Sequence, residues 1–398
     1  MTLPAISRFL PLCNTQASAV IEATSLVAST GVKCAAVDPA TGNIYIGGTF
    51  QQVNGATRKG LACINRSGVL QSWNPGVTGS TFGQSGVYAI VFVPGTGIYV
   101  SGSFTTVGGV TQTGVGLINT SGVVQSWYPT SAFNYGVILC VDGSGNIYTG
   151  GGLGLSQISP AGVVSAWNTG LLGSGANCAC IAGTWLYVGG NLNQVNTGAF
   201  TTQAIVGLCR VSLTTGYGDT WAPSFAKSGG TAQVNIQSVC VDSGGTLYVA
   251  GAFDHALGSA QVSFASISPA GPTLNSWAPA PTHGGNGWVV AANGTDIYWS
   301  TVYTGSGGVG NANSTGCMSS AGTDLAWDPY VSGPQGGSTT TQPPINGFVF
   351  DTSNPIVPAV YIYGYFGTVL FGGSAGPITR LQFAKFADRT FSPTHLAY

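Results

Sequence analysis

Short apolar runs recur along the whole chain, each closed by Gly, Ser, Asn or Asp, which is a pattern of strands and tight turns. One segment sets the register. It appears as IYIGGTF at 44–50, IYVSGSF at 98–104, IYTGGGL at 147–153, LYVGGNL at 186–192 and LYVAGAF at 247–253, with looser copies IYWSTVY at 297–303 and VYIYGYF at 360–366. Its tyrosines form a column: Tyr45, Tyr99, Tyr148, Tyr187, Tyr248, Tyr298 and Tyr361. A second column runs in step, an aromatic followed two residues later by Pro. It comprises Trp73/Pro75, Trp127/Pro129, Trp221/Pro223, Trp277/Pro279 and Trp327/Pro329, with Trp167 before Thr169 and Phe391 before Pro393 as variants. Successive aromatics lie 54, 40, 54, 56, 50 and 64 residues apart. Periods of about 40–50 residues belong to β-repeat architectures.

Within one unit four strands are predicted. The first is apolar on both faces, as in VYAIVFV at 87–93, and so is buried from both sides. A turn at Asp38, Asp142 or Asp242 leads to the Tyr-Gly-Gly strand, whose glycines admit a neighbouring backbone or large side chain. A variable loop precedes the third strand, GLACIN at 60–65 or GVGLIN at 114–119, and a Ser-Gly or Ala-Gly turn opens the fourth, VLQSWNP or VVQSWYP. Repeated seven times, this predicts an all-β, seven-bladed β-propeller of four-stranded antiparallel blades over residues 31–398. The third unit is short because its loop is nearly deleted between Gly151 and Gly154. The seventh supplies its own strands in INGFVFD, VYIYGYF, TRLQFAKF and RTFSP. Residues 1–30 are then free to be an extension that docks elsewhere or adds a strand to a blade.

Composition narrows the class. Hydrophobic residues make up 44% and charged residues 5% of the chain, the reverse of a disordered sequence. The 63 glycines show no three-residue period, which excludes collagen. Net charge is −1 and the ten Lys and Arg are scattered, so phosphate-driven nucleic-acid binding is not expected. No apolar run reaches the length of a membrane span, and Arg8 interrupts the first apolar stretch, so neither membrane insertion nor a cleavable signal peptide is expected.

Of the nine cysteines, Cys140, Cys180 and Cys240 occupy one repeat position and Cys34 and Cys178 another, all within apolar strand runs. Ala36, Val91, Ala89 and Ser238 stand at those places in sister units, so small buried free thiols are predicted rather than disulfides or a zinc site. The column Asp38, Asp142, Asp242 and Asp351 offers one carboxylate per loop, too few for calcium, and fits Asx-turn capping. Glu22 is the only glutamate. His255, His283 and His395 lie in separate units, and Asp254 and His255, though adjacent, are expected to point apart. No nucleophile, zinc-protease or phosphate-loop motif stands in a suitable context, and the first strands bring few polar groups to a central channel. The chain is therefore read as lacking enzymatic activity, cofactor and metal. Inter-blade packing accounts for the tryptophan column. Aromatics off that pattern, Trp288, Trp299, Tyr303 and Tyr330, are the candidate ligand-binding residues, and the long loops 191–205, 224–233, 302–314 and 330–344 are candidate binding segments.

The run GNIYIGGTFQQVNGATRKGLACINRSGVLQSWNPGV resembles the delta-60-type propeller repeat and is similar to Rax2-like and kelch-like propellers. The resemblance spans roughly residues 31–393. It implies a propeller with a surface or secreted setting and transfers no catalytic residues. Near-absent charge, a rigid Gly/Ser/Thr-rich β scaffold and free thiols predict a structural or interaction protein of an extracellular assembly. The expected form is a bacteriophage virion component of the tail or a decoration, with other structural proteins as partners. A glycan-binding adhesin or host-recognition propeller, with cell-surface glycan as partner, is the alternative.

Overall fold

A computed structural model describes residues 21–22, 31–80, 85–129, 137–150, 155–165, 167, 169–228, 233–279, 281, 285–302, 315–325, 327, 329–332, 345–352, 359–366, 368–371, 378–379 and 383–387. Among them every regular element is a strand and every ladder is antiparallel. Each repeat unit forms one sheet whose strands pair in chain order. Unit one is Val32–Val37, Ile44–Gly48 and Leu61–Ile64; unit two is Gly86–Val93, Gly97–Ser103 and Val115–Ile118. Unit three is Val137–Val141, Ile147–Gly150 and Ser156–Ile158; unit four is Leu172–Ala182, Trp185–Gly198 and Leu208–Ser212. Unit five is Asn235–Val241, Leu247–Ala252 and Phe264–Ile267; unit six is Asn286–Asn293, Asp296–Val302 and Thr315–Ser319. Unit seven is Gly347–Asp351, Ala359–Tyr363 and Phe383–Ala387.

The expected fourth strand is reduced to one bridge: Ile64↔Leu70, Ile118↔Val124, Ile158↔Val164, Val211↔Gly218, Ile267↔Leu274 and Met318↔Asp324. The aromatic that ends the segment and turns into the core is one cause, and in five units a Pro two residues later is another. Gln71 N–H still donates to Cys63 O (2.8 Å), but two residues on Trp73 is buried in the core and Pro75 has no N–H to continue a ladder. Segment 191–205 is also not a loop. The second strand of unit four runs on to Gly198 and turns back through Thr201–Ala204, with Phe200 fully exposed at the tip.

Smaller sheets decorate the units where the loop between second and third strands pairs with the segment arriving from the preceding unit. Val77–Thr78 pairs with Thr106–Val107, and Phe225–Ala226 with His255–Ala256. Ile21–Glu22 takes the same place on unit one, pairing with Gln52–Val53. Part of the N-terminal segment therefore adds a strand; residues 1–20 and 23–30 lie outside the described residues.

The hydrophobic core is a series of layers between consecutive sheets. Tyr45, Leu61 and Trp73 of unit one pack against Val87, Ile90 and Val100 of unit two. Equivalent clusters join units two and three, three and four, four and five, five and six, and six and seven. One further cluster unites Val32, Ile44 and Phe50 of unit one with Val349, Tyr361 and Phe383 of unit seven. At that seam Asn346 Nδ2 donates to Val32 O (2.7 Å), and Arg66 ion-pairs with Asp351, whose side chain is 1% exposed.

The repeat columns acquire physical causes here. In units one to six the tyrosine meets its unit's tryptophan edge-on or tilted, as in Tyr248–Trp277 at 4.9 Å and Tyr187–Trp221 at 5.1 Å, while Tyr361 of unit seven stacks on Phe383 at 5.5 Å. The Trp73 indole N–H reaches into the next unit, donating to Asn119 O at 3.1 Å, and Trp221 likewise to Ser268 O at 3.3 Å. The second glycine of the motif is required because a backbone carbonyl of the first strand occupies the space. A Cβ on Gly102 would stand 2.1 Å from Gly86 O, and one on Gly190 would stand 2.2 Å from Gly175 O.

Candidate functional site

Asp38, Asp142 and Asp242 cap the hairpin between first and second strands, whereas Asp351 ion-pairs with Arg66. Asp242 Oδ1 accepts from the Gly244 and Thr246 amides (both 2.9 Å), and Oδ2 from the Tyr248 hydroxyl (3.0 Å). Asp142 repeats this with Ser144, Asn146 and Tyr148, all at 2.9 Å. Both carboxylates thus accept from donors of their own turn and of the strand that follows. Among the described residues no cluster of three or more His, Cys, Asp or Glu is placed to hold a metal. Burial opposes ionisation of Asp142, but the donors from Asn146, Tyr148 and Ser144 outweigh it and hold the carboxyl below its ordinary value.

The first strands present an unpaired edge to the neighbouring unit, and small polar side chains satisfy it. Ser238 Oγ accepts from Val290 N–H (3.2 Å) and donates to Val290 O (3.1 Å). Ser101 Oγ accepts from Ile138 N–H (2.9 Å). Cys34 and Cys178 donate weakly to Val87 O and Ile236 O. Their role as buried small residues therefore includes a hydrogen bond across the layer, which the serine in sister units reveals. All eight described cysteines are free thiols, and burial pushes Cys140, Cys178 and Cys209 up to about 12.

In units one, two, four, five and six the first strand carries a β-bulge at one shared place, opposite the Gly-Gly position of the motif, whereas in unit three it comes later, opposite Thr149 and Tyr148. The residue in the bulge is Lys33, Tyr88, Asn177, Gln237 or Trp288 at the shared place and Leu139 in unit three, each displaced from the ladder, a device that re-aims a side chain. Nothing in the spacing of apolar residues marks this column, because the bulge breaks strand alternation only locally. The first strands surround a cavity of about 510 Å³. Lys33, Tyr88, Leu139 and Asn177 line it, as do Ser238 and Asn346, so the channel is more polar than the sequence pattern suggests. Among the described residues no carboxylate lines it. Burial lowers the Lys33 pKa, with the neighbouring Cys34 opposing.

Of the four aromatic candidates, Trp288 is half-buried in the unit-six bulge and Trp299 is 8% exposed on the adjacent strand, its ring edge against Phe264 at 5.5 Å. Tyr330 belongs to Pro329–Ser332, paired with Thr368–Phe371 in a different sheet, and Tyr303 lies outside the described residues. Asp254 and His255 do not point apart. His255 Nδ1 lies 2.7 Å from Asp254 Oδ1, and Asp254 also accepts from the Ser228 amide (2.7 Å). The two residues sit on either side of a strand start in a short hairpin, where the bend turns both side chains to one flank. Hydrogen bonding from His255, then from Ser228, keeps the Asp254 carboxyl below its ordinary value.

No protein-family model matches the chain, and no curated protein matches it in sequence. Solved structures do resemble it in shape. A selenomethionine-substituted virginiamycin B lyase from Staphylococcus aureus covers 95% of this chain and 97% of its own, at 11% identity and a TM-score of 0.50. The fold is that of a β-propeller. The computationally designed Ika8 protein (10% identity, 90% and 97% covered, TM-score 0.47) and a streptogramin B lyase (9%, 93% and 98%, 0.46) are also similar. These likenesses transfer no activity or substrate to this chain. The first does correct the expectation that the propeller is not an enzyme. A lyase occupies the same fold over nearly its whole length, so the lack of a recognised catalytic motif is no ground for excluding catalysis.

Proposed function

We propose that the seven sheets close into a seven-bladed ring of delta-60-type repeats that serves as an interaction component of an extracellular assembly. The reading takes the protein as a tail or decoration protein of a bacteriophage virion. Support for closure comes from the shared core of units one and seven, with the Asn346–Val32 hydrogen bond and the Arg66–Asp351 pair. The observation that carries the assembly role is a repeated apolar position on the surface. Val69, Val123 and Val163, each just after the turn into the fourth segment of units one, two and three, are 56, 58 and 52% exposed. Meanwhile Arg66 and Arg210 are spent on Asp351 and Asp219 within the chain. Exposed apolar residues recurring at repeat spacing, with few charges to oppose contact, suit lateral packing against other proteins.

Residues 1–30 are the proposed docking arm, tied to unit one at Ile21–Glu22. The test is co-sedimentation of the full chain, and of a form lacking residues 1–20, with the particle fraction. Loss of co-sedimentation on truncation supports docking through the arm. A full chain that stays monomeric and soluble overturns the assembly role. Glycan recognition is the second reading, favoured by the half-buried Trp288 at its bulge. It predicts glycan-array binding that Trp288→Ala abolishes, and an array without a hit removes it.

A further inference from the structure

Lys33 is out of place in a purely structural channel. It stands in the unit-one bulge, where units two, four, five and six carry the neutral residues Tyr88, Asn177, Gln237 and Trp288. Arg66 and Arg210 are matched to Asp351 and Asp219, and Lys227 donates to Asn286. Lys33, among the described residues, has no ion-pair partner, and the cavity it lines holds no carboxylate. A partly desolvated ammonium without a counter-charge is unfavourable unless something from outside supplies the charge.

The rest of the cavity says what that something is. Its volume of about 510 Å³ suits a small molecule. Val91, Val137, Leu139 and Val289, each partly exposed, give it an apolar wall. Tyr88, 42% exposed, occupies the corresponding bulge on the adjacent first strand and lines the same cavity. One cation with an apolar wall selects a singly charged head on an apolar body. We propose that the central cavity binds a small organic monoanion, a hydrophobic carboxylate or sulfonate, with its anionic head on Lys33. This binding is independent of whether the chain serves in a virion.

A pair of fluorescent probes separates the charge from the body. 8-Anilinonaphthalene-1-sulfonate carries the anion, and N-phenyl-1-naphthylamine has nearly the same rings without it. With the full chain, the sulfonate is expected to bind at one site, and Lys33→Gln to weaken it about tenfold, as befits loss of one charge-assisted contact. The amine should bind both forms alike. Unchanged sulfonate affinity in Lys33→Gln, or equal loss of both probes, overturns the proposal. A second measurement needs no variant: limited acetylation of the native protein, read by peptide mass spectrometry, with and without saturating sulfonate probe. Selective protection of Lys33 supports the site; Lys33 acetylated at the same rate in both samples overturns it.

Discussion

The seam between units one and seven makes ring closure measurable. Replacing Arg66 by Ala leaves the Asp351 carboxylate, 1% exposed, without its guanidinium. One-sided removal of a buried ion-pair partner costs about 3–5 kcal/mol. The Arg66 side chain is 32% exposed, so water reaches part of the vacated space and the expected loss is about 2–3 kcal/mol. Replacing both residues, as Arg66→Met with Asp351→Leu, removes the stranded charge and should recover most of that loss. Urea unfolding followed by tryptophan fluorescence is the assay. In a closed ring the seam is an interface like the others, so the midpoint of the main transition falls. If units one and seven are instead free ends, the variant adds only an early, small phase from fraying terminal units while the main midpoint stays put. That second outcome, or a double variant no more stable than Arg66→Ala, would refute the reasoning.

Three further outcomes follow from the layers themselves. Trp277, 1% exposed and set edge-on to Tyr248, should cost about 3–5 kcal/mol as Trp277→Ala, measured by the same unfolding curves. Ser238→Ala strands Val290 N–H and C=O on the edge of the next sheet and should cost about 1–3 kcal/mol, whereas Ser238→Cys, which mimics the sister units, should cost less. Asp142 has a depressed pKa in the folded chain, so its stabilisation is complete above the unfolded value of about 3.9 and is lost as pH falls below it. The stability gap between wild type and Asp142→Asn should therefore narrow between about pH 4 and pH 2, and a gap that stays constant contradicts the hydrogen-bonded cap.

Much of the architecture was legible in the chain. The Tyr and Trp columns meant what their spacing implied, since an aromatic pair that fills one inter-sheet layer must recur in every layer. Asp38, Asp142 and Asp242 capped their turns for the local reason that a side-chain oxygen two residues before an amide can reach it, while Asp351 of the same column serves the seam with Arg66. The Gly-Gly signal marked close backbone approach, and the Gly86 and Gly175 carbonyls supply it.

What the chain could not announce depends on which atoms of distant residues meet. The fourth strand shrank to a bridge because the aromatic serves the core and, in five units, Pro ends the ladder, and strand propensity alone does not weigh those demands. Asp254 and His255 converged because of the bend in a short hairpin. Segment 191–205, polar enough to read as a loop, became a hairpin because the long second strand of unit four offered it a ladder. Lys33 is one scattered cation among ten in the sequence, and only the arrangement of first strands set it in a cavity that, among the described residues, no carboxylate lines. Periodicity along the chain determined the repeats, their turns and their packing aromatics, since those rest on contacts within a unit and its nearest neighbours. Tertiary structure alone decided the bulge column, the cavity and the pairing of unit one with unit seven, because they bring together side chains separated by hundreds of residues.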